Sequence, residues 1–592
     1  MKKFIIIALA LIAVAVGVYF YKNKSADGES GVMANISSAL GGSSNSAVLD
    51  YVPADTVLFG GNLEPMDYEK AMELTRNMGF DFNAFMALAD EQDLQTDADA
   101  PDAAKFALGF YREYLKALAS DLPKSMGFDK NLDAAIYTVG ALPVMRMALD
   151  GSSTFSDLIA KVEKENNVTA KVGNIDGQEY REYSLGDQAP VTLIIATQDN
   201  QAVVTINTLL EDAKDLKLAL GLEKPAQSIK DSKLLSGLMS KYGYEGHNIF
   251  FVDNLGAVKG VTDPTANSFG SMLNDLLAAY GDANALSELQ TPACKAEYTA
   301  LAGNWPTLSA GYTEINAKSA KYKMMLEGTN AGLLETLQKL QGHLSPMLDD
   351  KDFVFSMGMG LNMAELTPVV TDLWKRMTKE PFNCEPLAQM QAEMKRSNPV
   401  MQLGMMTGMF GGVKGFGFAV VDMDIDGLSQ AQNNPMAVAD SMSMFVTLSA
   451  DDPMSLVQMV GQFQPMLANI KLEDGGEPQN LPLPLPVEVK GTLRGHDLVL
   501  SFGEKANAMA GALKSNSSLD MNGLMSFSID MGKYFGMIDQ AMGMAEPQGG
   551  IDGLSSGDKK ALEMFKNIKG QVSEKINFTD QGLAIDVDMM VD

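Results

Sequence analysis

Alternating aspartates mark one place where the chain could bind a cation. Residues 422–427 read Asp-Met-Asp-Ile-Asp-Gly, which repeats the first half of a calcium-binding loop. The carboxylates of Asp422, Asp424 and Asp426 would be the ligands. However, the twelfth position holds Asn433 instead of a bidentate glutamate, and the preceding residues have a strand pattern. The favoured interpretation is therefore a strand with one solvated face, and calcium is the alternative.

Methionine usage is the most unusual feature of the composition, with 41 residues in the chain. Met357, Met359 and Met363 are closely spaced, and thioethers bind Cu(I) in exported proteins. Similar groups follow at Met401, Met405, Met406 and Met409, at Met442 and Met444, and at Met531, Met537, Met542 and Met544. No histidine or cysteine joins them. Core packing is therefore favoured, with an adaptable apolar binding surface and a copper site as alternatives.

The two cysteines are predicted to form one disulfide. Cys294 and Cys384 both lie in proline-punctuated loops, and an even pair in an exported protein favours a bridge. Two unpaired thiols are the alternative.

Catalytic motifs are absent from the sequence. There is no phosphate-binding loop, no Gly-x-Ser-x-Gly elbow and no His-Glu-x-x-His pair. The three histidines, His247, His343 and His496, lie far apart in sequence and are predicted to be surface residues, with His496 at a hairpin tip. The sequence therefore predicts a protein without catalytic activity or a cofactor.

The length and net charge of the chain narrow the class of protein further. The chain has 592 residues, a formal charge of −29 and a pI near 4.5. Such acidity argues against a nucleic-acid partner, and so few cysteines and histidines cannot build a zinc framework. The length indicates more than one compact core.

An unbroken apolar run from Phe4 to Tyr21, flanked by lysines, opens the chain. Eighteen residues at about 1.5 Å each give roughly 27 Å, enough to cross a bilayer core. We expect an uncleaved anchor at residues 1–24, with the bulk of the chain in the periplasm of a bacterium. The alternative is a signal peptide that is cleaved near Ala13-Val14-Ala15. The anchoring side chains would include Phe4, Ile5, Ile6, Ile7, Leu11, Val18 and Tyr21.

Residues 25–48 are rich in Ser, Gly and Ala and are predicted to be a flexible linker with a span of roughly 27 Å. Because the four lysines before Asp27 belong to the anchor, the rest of the chain carries −33. Anionic lipid head groups would repel such a body, so we expect the anchor to make the membrane contact.

The remaining chain is predicted to be α+β, with two similar modules of antiparallel sheet and helices packed on one face. Hairpin signals such as Asp176-Gly177 and Asp199-Asn200 indicate antiparallel pairing. The order of predicted elements recurs, with Asn200 matching His496, residues 250–253 matching 527–530, and residues 237–240 matching 523–526. We expect modules at 49–290 and 351–592 and an inter-module segment at 291–350. One large domain is the alternative.

Two short stretches resemble a group of bacterial membrane-anchored envelope proteins. The first is Tyr51-Val52-Pro53-Ala54-Asp55-Thr56, whose Pro-Ala-Asp-Thr leads into a strand, and the second is residues 140–146, Gly-Ala-Leu-Pro-Val-Met-Arg. The resemblance implies an envelope location and assigns no catalytic residue.

Together these features predict a membrane-tethered periplasmic binding or scaffold protein that holds a partner protein or an apolar ligand between its modules. The alternatives are a copper- or calcium-binding envelope protein and a carboxylate-dependent hydrolase.

Overall fold

The fold is described from a computed structural model. It covers residues 46–591 apart from 84–98, 187–190, 209, 211–212, 350–352, 425–426, 428–440, 485–486, 516–517 and 546–566. The chain divides into two compact units. Unit 1 comprises residues 1–327, 383–386 and 554–565, and unit 2 comprises 328–382, 387–553 and 566–592.

Unit 1 is built on an antiparallel sheet in the order β6-β7-β8-β9-β5-β4-β1-β10-β11-β12. A second, two-stranded sheet pairs β2 with β3. The strands are β1 (Leu58–Gly61), β2 (Met66–Asp67), β3 (Asn131–Leu132), β4 (Ala134–Val139), β5 (Leu142–Ala148), β6 (Lys171–Ile175), β7 (Gln178–Ser184), β8 (Thr192–Gln198), β9 (Gln201–Asn207), β10 (Ile249–Asp253), β11 (Thr307–Asn316) and β12 (Ser319–Glu327).

Helices pack on both faces of this sheet, whereas the sequence predicted one. Leu193 and Ile195 join a large buried cluster with α2, α3 and α4, while Ile194, which points to the opposite face, packs with Leu220 of α5. The helices of unit 1 are α1 (Tyr68–Asn77), α2 (Asp102–Leu118), α3 (Leu122–Met126), α4 (Thr154–Glu165), α5 (Lys214–Leu220), α6 (Leu234–Tyr242), α7 (Asn254–Thr262), α8 (Ser268–Ala279) and α9 (Pro292–Gly303).

Unit 2 has an antiparallel sheet in the order β16-β17-β18-β15-β14-β13-β19-β20-β21. Its strands are β13 (Phe355–Gly360), β14 (Val413–Met423), β15 (Met442–Ala450), β16 (Gln479–Leu481), β17 (Val489–Arg494), β18 (Asp497–Phe502), β19 (Met525–Asp530), β20 (Gln571–Thr579) and β21 (Gly582–Met590). Its helices are α10 (Ala331–Gln338), α11 (Met363–Thr378), α12 (Glu385–Arg396, whose first two residues belong to unit 1), α13 (Val400–Phe410), α14 (Pro453–Phe463), α15 (Glu504–Ala512) and α16 (Met531–Ala545).

The predicted hairpins of unit 1 are present. Asp176 and Gly177 between β6 and β7 have φ values of 51° and 87°, and Asp199 and Asn200 between β8 and β9 have 49° and 60°. Two successive positive φ angles give the tight turn whose twist matches that of the strands. The antiparallel pairing predicted from these residues is therefore confirmed.

Two predictions, one on the internal repeat and one on the inter-module segment, were wrong. Residues 237–240 lie in α6, whereas their predicted match 523–526 leads into β19. The segment 291–350 is more than a connector, since it contains β11 and β12, which extend the sheet of unit 1.

The folded chain begins inside the predicted linker. Ser46 and Val48 are fully buried, so the described structure starts before residue 49. Asp133 accepts hydrogen bonds from the Ser46 hydroxyl (2.5 Å) and from the Ala47 amide (3.0 Å). This carboxylate fixes the point at which the chain enters unit 1.

Tyr51 and Arg146, one from each of the two stretches that carry the resemblance, are in contact. The Arg146 guanidinium lies 4.1 Å from the centre of the Tyr51 ring, and the Tyr51 hydroxyl donates to Asp199. Burial raises the pKa of Tyr51 to about 12. These stretches therefore have a shared structural role at the start of the fold.

A buried arginine in each unit bonds the last carbonyls of a helix. Arg146 donates to the Ala219 carbonyl of α5 (3.2 Å), and Arg494 donates to the Ala510 carbonyl of α15 (2.8 Å). Carbonyls at a helix C-terminus lack intrahelical partners and carry partial negative charge. Both arginines are thus accounted for by packing of the fold.

Within the described ranges, no helix combines the length and apolar composition needed to cross a membrane. The predicted anchor, residues 1–24, and the linker up to residue 45 lie outside those ranges.

The predicted disulfide joins Cys294, in the first turn of α9, to Cys384, and both cysteines belong to unit 1. Glu297 of α9 reinforces the bridge, because its carboxylate accepts the amides of Asn383 (2.8 Å) and Cys384 (2.9 Å). These bonds hold the pKa of Glu297 below its usual range.

Replacing both cysteines with serine should lower the free energy of unfolding by roughly 2–5 kcal/mol, because the bridge closes a long loop. Chemical denaturation of the full chain, monitored with and without reductant, measures this loss. Peptide mapping without reductant should recover a pair joining Cys294 to Cys384, and free thiols at both positions would contradict the assignment.

Candidate functional site

The central strands of unit 2 separate small residues from large apolar ones. Ser356 and Gly358 of β13 stand opposite Ala419 and Gly417 of β14, and all four share one face. We call this the small-residue face. Successive side chains of a strand point to opposite faces, so the neighbours of these residues lie on the other side of the sheet.

The small-residue face is closely covered. The Ser356 hydroxyl donates to the Leu348 carbonyl (2.7 Å), and a Cβ at Gly417 would stand 2.3 Å from the Leu348 side chain. The same face carries Phe445 and Val499, which pack with Ala506 and Ala510 of α15 in a buried cluster. This cluster is a core of unit 2.

The opposite face, here called the apolar face, carries fifteen large apolar side chains from five adjacent strands. In each strand pair they stand opposite one another in register. They are Phe355, Met357 and Met359 of β13; Phe416, Phe418 and Val420 of β14; Met444, Val446 and Leu448 of β15; Leu498, Leu500 and Phe502 of β18; and Met525, Phe527 and Ile529 of β19.

Most of the apolar face retains contact with solvent. Val420 and Leu498 are buried, but Met359 and Phe416, which are paired, expose 45% and 47% of their surface, and the other members are half-buried. Contiguous exposed apolar surface of this kind marks a site for a ligand, a partner or a membrane. Phe355 and Phe418 make an edge-to-face contact with 5.6 Å between their ring centres.

Unit 1 offers a comparison, because its β7, β8 and β9 also carry apolar residues on one face. There, α2, α3 and α4 cover Tyr183, Leu193 and Ile195, which are buried. On the same face, however, Val204 of β9 and Met145 of β5 are half-buried, so partial exposure of apolar strand residues also occurs in unit 1.

The predicted copper residues divide between two places. Met357 and Met359 lie side by side on the apolar face, whereas Met363 begins α11 and is buried. Met442 and Met444 follow on β15, with Met444 on the apolar face, and Met409 on α13 is 50% exposed. Met531 and Met537 of α16 are half-buried; the side chains of Met401, Met405, Met406, Met542 and Met544 lie outside the described residues.

The predicted calcium ligands are not all described. Asp422 pairs with Lys505 at 2.5 Å, Asp424 follows β14, and Asp426 lies outside the described residues. Across the described part of the chain, no group of three or more His, Cys, Asp or Glu side chains is placed to hold a metal ion. Calcium binding by the 422–427 loop stays a prediction.

The histidines make contacts typical of structural residues. His343 is 2% exposed, so its prediction as a surface residue was wrong, and its Nδ1 lies 3.0 Å from the Asp520 carbonyl. His496 does lie in the turn between β17 and β18, with Nδ1 3.2 Å from the Ala450 carbonyl. His247 is half-buried, and burial lowers its pKa.

A cavity of about 260 Å³ lies in unit 1 beside α1 and the end of α2. Tyr68, Met72 and Phe82 supply apolar walls, and Arg76 at its rim pairs with Glu69 at 2.5 Å. Burial raises the pKa of Tyr68 to about 12. Asp81, Asn83 and Ser120 complete its polar lining.

Gly417→Ala should destabilise unit 2 by roughly 2 kcal/mol or more, because the new methyl group would meet Leu348 and the Met357 carbonyl. Gly536→Ala in α16 is the matched control, since its Cβ meets nothing within 4 Å. It should be neutral or stabilising by up to about 1 kcal/mol. Equal effects of the two substitutions on chemical unfolding would contradict the packing described for the small-residue face.

Comparison of the chain with known proteins returned no matching family model, no matching curated protein and no matching solved structure. Function is therefore argued from the chain itself. Its most distinctive surface is the apolar face of unit 2.

Proposed function

We propose that this chain is a membrane-tethered, non-catalytic binding protein of the bacterial envelope whose unit 2 holds an apolar ligand on the apolar face. The observation that carries the proposal is the partial exposure of a continuous array of large apolar side chains in a folded unit. The acidic composition and the apolar N-terminal run support the envelope location.

The chemistry of the apolar face favours an acyl chain as the ligand. Its lining is hydrocarbon, aromatic ring and thioether, without a charged member. Methionine is unbranched and polarizable, so Met357, Met359, Met444 and Met525 can adjust to a flexible chain. These fifteen side chains can bury methylene groups at about 0.8 kcal/mol each, and the charged neighbour on the same face, Glu574 opposite Phe527, lies beyond them on β20.

We also infer that the two units arose by duplication of one α+β module. The two sheets can be aligned so that β7 matches β16 at one end and β12 matches β21 at the other. In this alignment the strands between them follow the same order in both units. Equivalent backbone bonds support the match: Leu149 donates to the Asn200 carbonyl, and Ala450 to that of His496.

Cells grown with a photoactivatable fatty acid test the ligand directly. After irradiation, the full chain is purified and digested, and lipid adducts are mapped by mass spectrometry. We expect adducts on peptides containing residues 355–360 and 413–423 as well as on residues 1–24, the predicted anchor. Adducts confined to residues 1–24 would contradict the proposed ligand.

Substitution on the apolar face should abolish this labelling. Phe416→Glu places a charge among apolar side chains and should reduce adducts on these peptides about tenfold. Val172→Glu in unit 1 is the matched control, because Val172 is 60% exposed and lies on β6. An equal loss of labelling in both variants would show that the apolar face is not the site.

A further inference from the structure

Two long stretches of unit 2 contain no charged residue, although 20% of the chain is charged. Residues 397–413 include α13, and residues 453–470 include α14. A helix on the surface of an acidic protein normally presents charged groups to water. These two stretches therefore differ from the rest of the surface in a way that suits an uncharged, apolar surrounding.

The end of α14 presents large apolar side chains to solvent. Phe463 is 71% exposed and Met466 57%, and Val460, one turn before Phe463, is 41% exposed. The chain turns back sharply here, because a Cβ at Gly461 would lie 2.8 Å from the Ala468 Cα. This turn forms a projecting tip, residues 462–466, in which every residue is exposed.

The end of α13 also exposes large apolar side chains to solvent. Met409 and Phe410 expose 50% and 38% of their surface. Just beyond them, the Gly412 carbonyl accepts the Asp451 amide at 2.9 Å. The end of α13 therefore lies beside the start of α14, at the edge of the sheet that is formed by the ends of the strands, where β14 starts and β15 ends. The exposed pair Met359 and Phe416 of the apolar face lies near the same edge, at the end of β13 and the start of β14.

The carboxylates at this edge already have partners. Asp451 pairs with Lys414 at 3.2 Å. Asp452 accepts the Ser455 hydroxyl and amide at the start of α14, and these bonds hold its pKa below the usual range. Lys414 therefore offsets the charge of Asp451, whereas Asp452 stays ionised.

We propose that the projecting tip at the end of α14, residues 462–466, inserts into the surface of a lipid bilayer. This inference rests on the proposed function, because the N-terminal anchor supplies the proximity. The predicted linker that precedes the buried Ser46, residues 25–45, would hold the body at roughly 25 Å from the membrane. At that effective concentration, a few apolar side chains suffice for docking without basic residues.

Tryptophan fluorescence of the anchored full chain tests the docking. The Phe463→Trp variant is reconstituted in phosphatidylcholine nanodiscs with and without acyl-brominated lipid. The signal of Trp305 and Trp374 is subtracted with the unsubstituted chain. We expect bromine to quench the added fluorescence about twofold or more, because an interfacial apolar side chain lies 5–10 Å deep, near the brominated carbons. Met466→Trp should give the same result and guards against a local folding defect at position 463.

Val172→Trp provides the matched control, as an exposed apolar position in unit 1 that should show no quenching. Equal quenching at positions 463 and 172, in a chain that elutes with the discs, would overturn the docking and leave the anchor intact. A chain that does not elute with the discs would overturn the anchor and the docking together.

Discussion

The close approach of backbone and side chains on the small-residue face determines the arrangement of unit 2. A Cβ at Gly417 would meet Leu348 at 2.3 Å, and one at Gly360 would meet the Gly523 carbonyl oxygen at 2.2 Å. No larger side chain fits at these positions. Because side chains alternate along a strand, the large residues near these glycines, Met357 and Met359 of β13 and Phe416 and Phe418 of β14, lie on the opposite face.

The methionine excess acquires a partial explanation from this separation. Methionines contribute to the apolar face on β13, β15 and β19, and Met409 and Met466 are among the most exposed apolar residues of the chain. Core packing accounts for others, such as Met126 and Met347. Core packing, the favoured interpretation of the sequence, therefore accounts for some methionines, and an adaptable apolar surface is the interpretation that suits the exposed ones.

The sequence predicted the elements whose signals are local. Asp176-Gly177 and Asp199-Asn200 each specify backbone geometry within a few residues, and the structure has both turns there. The hairpin of β11 and β12 was missed because its turn follows Asn316, whose side chain bonds the turn amides, and lacks an Asn-Gly pair. The alternation in Phe-Ser-Met-Gly-Met-Gly (355–360) was visible, but alternation does not reveal which face is covered. Which face is covered depends on elements that are distant in sequence, including α15, which packs on the small-residue face.

Methionine oxidation measures the exposure of the apolar face most directly. The full chain is treated with dilute peroxide, and sulfoxide formation is followed peptide by peptide. The account predicts that Met359 oxidises at a rate close to that of Met409, whereas Met126, which is fully buried, stays protected. Addition of a long-chain fatty acid should then slow oxidation of Met357 and Met359 but not of Met521, which lies outside the face. If Met359 were as protected as Met126 in the ligand-free chain, the apolar face would be a closed core and the account would be wrong.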